Sequence, residues 1–334
     1  MGHNKARHEM TDSLTTLNNS ELAHLQDLIK TAQDYAQRSI SESTKTAYYT
    51  DFKDFIAWPV EKGLDFLPAK PEIVALYIAH LARDRGYKVS TLERRLVAIS
   101  QVHKSEGYED SPARSQVVRA VIKGIKRDSQ TPKVTKKKSL SSTQIKTWIG
   151  GLKDTPHDVR DKAVILLGFA GAFRRSEIAG LDIDNLSFTD QGLVVSLWQS
   201  KTNQEGDIEQ IAIPYGESPL SCPVTAARDW LSVSGIKQGA LFRGLTKGHT
   251  VTDNRLPTKG IARIVKGLCE TLGLDPSEYG GHSLRAGHVT TAIDNGASRH
   301  ITKRQTRHKS DKVFDGYYRE GGQFKNNSAY YLDL

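Results

Sequence analysis

A chain of 334 residues is long for one hydrophobic core and comfortable for two, so two domains joined by a linker are expected. The longest apolar run, "AVILLGFAGAF" at 163–173, is far short of the roughly 20 residues a helical bilayer span needs, and "MGHNKARHEMTDS" at the start carries no apolar leader core, so a cytoplasmic protein without membrane attachment is expected. Cys222 and Cys269 stand in neither metal-like nor redox-like spacing, which argues against a disulfide framework and a cysteine zinc site, while a net charge of +9 points to an acidic partner.

Residues 1–35 form an N-terminal extension with one expected helix, "NSELAHLQDLIKTAQDYAQ". In the next segment, 36–128, "SESTKTAYYTDFKDFIAW" sets Tyr48, Phe52, Phe55 and Ile56 on one stripe and should stop at Pro59. "KPEIVALYIAHLARDRG" follows with Ile73, Leu76, Tyr77, Ile78 and Leu81, then "STLERRLVAISQVHKSEG" with Ser90 as N-cap and Glu93 completing a capping box. "PARSQVVRAVIKGIKRD" closes a small four-helix bundle. The polar, lysine-rich stretch 129–138 has no apolar period and is expected to be the interdomain linker.

Charge is concentrated in this first half. Residues 81–138 hold fifteen Lys and Arg against six Asp and Glu, an excess of nine that equals the charge of the whole chain. An excess running across helices and linker together is the electrostatic footprint of a phosphate backbone.

The remaining segment, 139–334, is mixed. "STQIKTWIGGL" and "HDVRDKAVILLGFAGAF" are expected helices, and "GLVVSLWQSKTNQEGDIEQIAIP" two strands around a polar turn. After Pro214 the pattern returns to helices alone, "CPVTAARDWLSVSG", "TKGIARIVKGLCETLG" and "HSLRAGHVTTAIDNG", before a basic stretch to the end. The fold class is therefore mainly α with a small β-sheet.

Five short elements stand in order in this segment: "GAFRRSEIAGL" with Arg174, "QSKTNQEG" with Lys201, "GGHSLRAGH" with His282 and Arg285, "RHKSD" with His308, and "DGYYREG" with Tyr317. Neighbouring residues point about 100° apart in a helix and to opposite faces in a strand, so Tyr317 and Tyr318 cannot do the same job. Arginine keeps its charge at every accessible pH and its planar fork matches two phosphate oxygens. His288 lies six residues past His282, which is not a metal-ligand spacing on a helix, so no metal site is read.

In their order and spacing, including the nine residues from His308 to Tyr317, these elements resemble the tyrosine recombinases, or phage-type integrases, of simple Cre-like architecture. The resemblance implies a helical DNA-clamping domain ahead of a mixed α/β catalytic domain, and no cofactor. It implies that Tyr317 is the nucleophile, forming a 3′-phosphotyrosyl ester that stores the energy of the broken bond, with Gly316 leaving its approach uncrowded and Tyr318 turned toward the core. Arg174 and Arg285 would clamp the scissile phosphate, with Glu177 orienting Arg174. Lys201 would protonate the leaving 5′ oxygen, and His282 and His308 would position or exchange protons. Arg175 stands where a small or apolar residue is more usual, which leaves open which of Arg174 and Arg175 points inward.

For DNA contact, Lys88, Arg94, Arg95, Lys123 and Lys126 in the bundle, Lys136, Lys137 and Lys138 in the linker, and Lys259 and Arg263 on one helix face are the expected residues. The partner implied is double-stranded DNA with paired inverted half-sites, bound by a homodimer per site and a homotetramer in the synapse, with the tail "REGGQFKNNSAYYLDL" docking on a neighbouring protomer. The function implied is site-specific recombination through a Holliday junction. A type IB topoisomerase would share the cleavage chemistry, but the four-helix bundle and the docking tail favour recombination; a catalytically silent DNA-binding protein would share the fold, but the completeness of the five motifs argues against it.

Overall fold

The computed structural model describes residues 41–128, 130–132, 136–197, 208–308, 310–311 and 314–316. The expected first helix, Lys201, Tyr317, Tyr318 and the C-terminal tail lie outside the described residues. The chain divides into two compact units, Met1–Thr135 and Lys136–Leu334.

In the first unit four helices bury their apolar stripes against one another. Helix α1 (Glu42–Val60) starts at Ser41, whose hydroxyl accepts from the Thr44 amide at 3.3 Å. Helix α2 (Pro71–Arg83) begins with proline in its first turn, where the missing N–H costs nothing. Helix α3 spans Val89–Ser105 and helix α4 spans Gln116–Arg127. Phe55, Tyr77, Ile78, Leu92, Ile99 and Val118 are almost fully buried, and Phe55 meets Tyr77 edge to face at 5.1 Å. Each such side chain contributes on the order of 2 kcal/mol of burial.

Three sequence expectations are corrected here. Helix α1 runs one residue beyond Pro59. Leu76, placed on the buried stripe, is 58% exposed, because Ile73, Tyr77 and Leu81 already fill the seam. Ser90 is not the cap of α3: the helix starts at Val89 behind Lys88, and Glu93 pairs with Lys126 of α4 at 2.6 Å instead of closing a capping box.

The second unit is built around helix α6 (Pro156–Ala170), whose residues Ala163–Leu167 are buried on all sides. Its start carries a capping box between Thr155 and Asp158, and helix α5 (Ser142–Ile149) carries another between Ser141 and Gln144. Helix α7 (Arg175–Gly180) leads to a three-stranded antiparallel sheet of β1 (Leu186–Phe188), β2 (Gly192–Leu197) and β3 (Glu209–Pro214), in that order. The register Gly192 to Pro214 through Leu197 to Glu209 sends Leu193, Val195, Leu197, Ile211 and Ile213 into the core. Helix α8 (Pro223–Ser234) packs on α6, with the Trp230 indole donating to the Leu241 carbonyl at 2.7 Å.

After Pro214 the chain is not helical alone. A hairpin of β4 (Arg243–Leu245) and β5 (Val251–Arg255) intervenes before helices α9 (Thr258–Thr271), α10 (His282–Asp294) and α11 (Arg299–Thr306). Its strands are short and polar, so no alternation marks them. The far end of the expected linker also belongs to this unit: the Lys138 amide donates to the Glu278 carbonyl at 2.9 Å and Leu140 to that of Ser283 at 3.2 Å. Gly287 makes this docking possible, since a β-carbon there would lie 1.9 Å from the Leu140 carbonyl oxygen. Among the described residues no helix is long and apolar enough to cross a membrane.

Candidate active site

The end of α6 sets up the first arginine. Gly171 caps the helix, Ala172 turns through a left-handed conformation at φ 47°, and Phe173 drops into the core. Arg174 then takes an extended conformation as the residue before α7. Its amide donates to Glu177 Oε2 at 2.8 Å and its Nη1 to Oε1 at 2.6 Å, so the backbone and side chain of one residue hold both oxygens of a buried carboxylate. Arg175 is exposed, with its stem against Gly281, where a β-carbon would lie 2.8 Å from Arg175 Cδ. Of the two adjacent arginines, Arg174 is the one that faces Glu177.

Helix α10 supplies the second pair. His282 opens the helix and remains exposed on one side; Arg285, three residues on and on the same face, is 1% exposed. Arg285 Nη1 donates to the Ala172 carbonyl at 2.7 Å and Nη2 to the Thr306 carbonyl. Its fork is therefore aimed by the end of α6 and the end of α11. A guanidinium carries five N–H donors, so two carbonyls do not exhaust it.

His308 follows the end of α11 and is half-buried, its Nδ1 2.7 Å from Thr306 Oγ1. Burial, and then the charges of Arg285, Arg174, His282 and Arg307, push its imidazole down to about 3. His282 is lowered by the same causes, burial first and then Arg285 and Arg174. Both rings are thus neutral at physiological pH, beside two guanidiniums. Burial alone would raise Glu177, but Arg307 and the bonds from Arg174 outweigh it and keep the carboxylate ionised.

The structure brings Arg174, Glu177, His282, Arg285 and His308 into one cluster. One residue here was missed by sequence reasoning: Arg307, which reaches Glu177 Oε2 with Nη2 at 3.0 Å. Its signal was slight, a basic residue next to a motif histidine. Gly316, just ahead of Tyr317, accepts from Lys136 Nζ at 3.3 Å. His288 points elsewhere, with its Nδ1 2.9 Å from the Phe169 carbonyl. Among the described residues no group of three or more His, Cys, Asp or Glu is placed to hold a metal ion.

The expected DNA contacts divide. Lys88, just ahead of α3, and Arg94, Lys123 and Lys126 on α3 and α4 are exposed, although Arg94 also pairs with Asp51 at 3.1 Å. Arg95 is a correction: it is 7% exposed, bonded to Asp54 and Tyr77 and 5.0 Å over the Tyr87 ring, so it serves the core of the bundle and not a phosphate. Lys136, Lys137 and Lys138 are exposed, Lys137 bonding the Ser277 carbonyl and Lys138 pairing with Glu278 at 2.5 Å. On α9 Lys259 and Arg263 are exposed while Ile261, Ile264, Val265 and Leu268 are buried. Lys266 extends that exposed basic face by another turn and was also missed, though the spacing of three residues from Arg263 marks it.

The model of the phage integrase family matches residues 138–322, and that of the phage integrase N-terminal SAM-like domain matches residues 33–105. The integrase/recombinase xerD homolog of Selenomonas ruminantium is 36% identical over 324 residues, 96% of this chain and 94% of that protein. Recombinase cre of Escherichia phage P1 is 24% identical over 271 residues, 75% of this chain and 76% of that protein. Among solved structures, a lambda integrase dimer bound to a COC′ core site superposes with a TM-score of 0.57 at 16% identity, covering 89% of this chain and 95% of that one. XerH recombinase in a post-cleavage complex with a palindromic difH substrate gives 0.55 at 14% identity, covering 76% and 70%. With family matches over both units and this identity to a relative of the same length, the chain belongs to the phage integrase family, the tyrosine recombinases, which cleave and rejoin DNA.

Proposed function

We propose that this tyrosine recombinase performs site-specific recombination with Tyr317 as nucleophile and Arg174, Arg285, His282, His308 and Lys201 as the groups that serve it. The observation that carries the reading is the convergence of two guanidiniums and two neutral imidazoles on one face, from the end of α6, the start of α10 and the end of α11. Such a cluster suits a phosphodiester. The guanidiniums hold the nonbridging oxygens as charge develops there, and a neutral imidazole is able to accept the tyrosine proton.

In the cleavage step the Tyr317 oxygen forms a bond to phosphorus as the bond from phosphorus to the 5′ oxygen breaks. The tyrosine proton passes to a histidine, and Lys201 gives one to the departing oxygen. Attack by a 5′ hydroxyl from the partner duplex reverses these transfers and needs no external energy source. The relatives' solved complexes, a dimer on a core site and a palindromic substrate, support a reading in which two protomers occupy inverted half-sites and four form the synapse. The exposed basic residues of α3, α4 and α9 would track the phosphates, and the enzyme would work in the cytoplasm on nucleoid DNA.

The test is covalent trapping on a duplex nicked near the cleavage point, with the adduct read on a denaturing gel. Tyr317→Phe should abolish the adduct and keep DNA affinity within a few fold, and Tyr318→Phe should leave cleavage largely intact. An adduct lost only in Tyr318→Phe overturns the assignment of the nucleophile. A Holliday junction formed from two sites distinguishes recombination from relaxation of a single duplex.

A further inference from the structure

Arg307 opens the element "RHKSD", one position before His308, and is given no role by the motif reading. It caps α11 in a left-handed conformation, φ 55° and ψ 41°, which glycine takes freely and arginine does not. Its side chain turns inward and is 9% exposed, with the guanidinium 5.5 Å over the Phe173 ring. Nη2 donates to Glu177 Oε2 at 3.0 Å, so the carboxylate lies between two guanidiniums, Arg174 on Oε1 and Arg307 on Oε2. On its other side Nη1 faces Oε2 of Glu209, the first residue of β3, at 3.9 Å. Nη1, Nε and that Glu209 oxygen have no hydrogen-bond partner among the described residues.

A buried guanidinium with unsatisfied nitrogens, on a strained backbone, is a poor device for stability. Its charge has another use. Glu177 alone would cancel Arg174, whose guanidinium charge would then be directed at the carboxylate. With Arg307 on the second oxygen, two guanidiniums share the Glu177 carboxylate; Glu209, 3.9 Å from Nη1 and beyond hydrogen-bond distance, offsets only part of the Arg307 charge, and Arg174 keeps more of its pull on an anion in front of it.

We propose that Arg307 is a positioning residue of the active site: it neutralises and fixes Glu177 from behind, ties it to β3 through Glu209, and so leaves the charge of Arg174 for the scissile phosphate. The inference rests on the reading of Arg174 as a phosphate clamp. It goes beyond that reading by naming the residue that sets the clamp's charge and orientation.

The experiment compares the unmutated enzyme, Arg307→Gly and Arg307→Lys on two substrates. One has an ordinary scissile phosphate; in the other a methyl group replaces one nonbridging oxygen, so the phosphate carries no charge. On the ordinary phosphate, Arg307→Gly should cleave at least about tenfold more slowly with DNA affinity within about threefold, and Arg307→Lys, which keeps the charge, should recover part of the loss. On the uncharged phosphate the ratio of unmutated to variant rates should shrink to within about threefold, because the charge that Arg307 frees has less to act on. A merely structural role would slow both substrates by one factor, and that result overturns the proposal, as do unchanged rates in a folded variant. If Arg307→Gly does not fold, Arg307→Lys carries the same comparison, and failure of both to fold makes the residue a core ion pair and overturns it too. Tyr317→Phe run alongside separates the two readings. An adduct that survives there removes the assignment of the site, whereas its loss beside unaffected Arg307 variants removes only the role of Arg307.

Discussion

Replacing Arg285 with lysine tests stability and chemistry at one atom group. The side chain is 1% exposed and its two terminal nitrogens serve two carbonyls, Ala172 at 2.7 Å and Thr306, which belong to different elements. A lysine ammonium keeps the charge but cannot reach both oxygens and also present a flat pair of donors. One carbonyl is left buried without its partner and one bond to a charged donor is lost, so the expected destabilisation is about 2–4 kcal/mol. Urea unfolding followed by circular dichroism reads this as a lower midpoint with an unchanged slope. Under conditions where the variant is folded, loss of a preorganised phosphate donor should slow adduct formation roughly a hundredfold or more. An unchanged midpoint would mean that the two carbonyl bonds contribute nothing to the fold. Adduct formation within a few fold of the unmutated rate would mean that the fork does not face the phosphate.

Three further outcomes follow from the same geometry. Lys201→Ala should cleave an ordinary site very slowly, yet cleave a site with sulfur at the bridging 5′ position near the unmutated rate, since a thiolate with a thiol pKa near 8.5 leaves unaided; equal defects on both remove the lysine as general acid. His308 is lowered from 6.5 to about 3 in the folded protein, so between these values the unfolded chain binds the extra proton: stability should be full above about pH 6.5 and fall as pH drops toward 3, and His308→Asn should flatten that decline in thermal melts. Neutralising Lys259, Arg263 and Lys266 together should reduce the salt slope of DNA binding by up to about three, measured by titration at several salt concentrations, and an unchanged slope would place that face of α9 off the duplex.

Apart from the short α7 and α11, which were not read as helices, the helical parts of the fold were legible because their apolar spacing is regular and their stops are chemical: Pro71 at the start of α2, Pro257 ahead of α9, and Gly235 in the left-handed position after α8. The β4–β5 hairpin was not, since "RGL" and "VTDNR" have no alternating apolar face. Ser90 and Glu93 made a convincing cap on paper, but Glu93 finds Lys126 across the bundle, a partner no local pattern shows. Arg94 and Arg95 are equivalent in sequence and opposite in structure, because Asp54 and Tyr77 from other helices draw only the second inward. Within the site, the side chains that meet could be named from their motifs, whereas Arg307 is chemically silent until the fold places Glu177 beside it.

The electrostatic state of the cluster bears on how it would respond to a bound phosphate. Arg174 and Arg307 hold the ionised carboxylate of Glu177, and both histidines are held neutral by burial first and then by Arg285 and Arg174. A phosphate diester brought against this face carries the missing negative charge. It would raise both imidazoles by offsetting the charges of Arg285 and Arg174, while the burial that contributes most to their lowering would remain. On the proposed reading, His308 would become a better proton acceptor with the phosphate in place than without it. DNA binding should then take up protons, so that affinity for the cleavage site rises as pH falls from about 6.5 toward 4 more steeply than affinity of His308→Asn does. Fluorescence titrations across that range would measure both. Identical pH dependence in the two proteins would mean that His308 does not face the phosphate, and that its neutrality belongs to the fold and not to the chemistry.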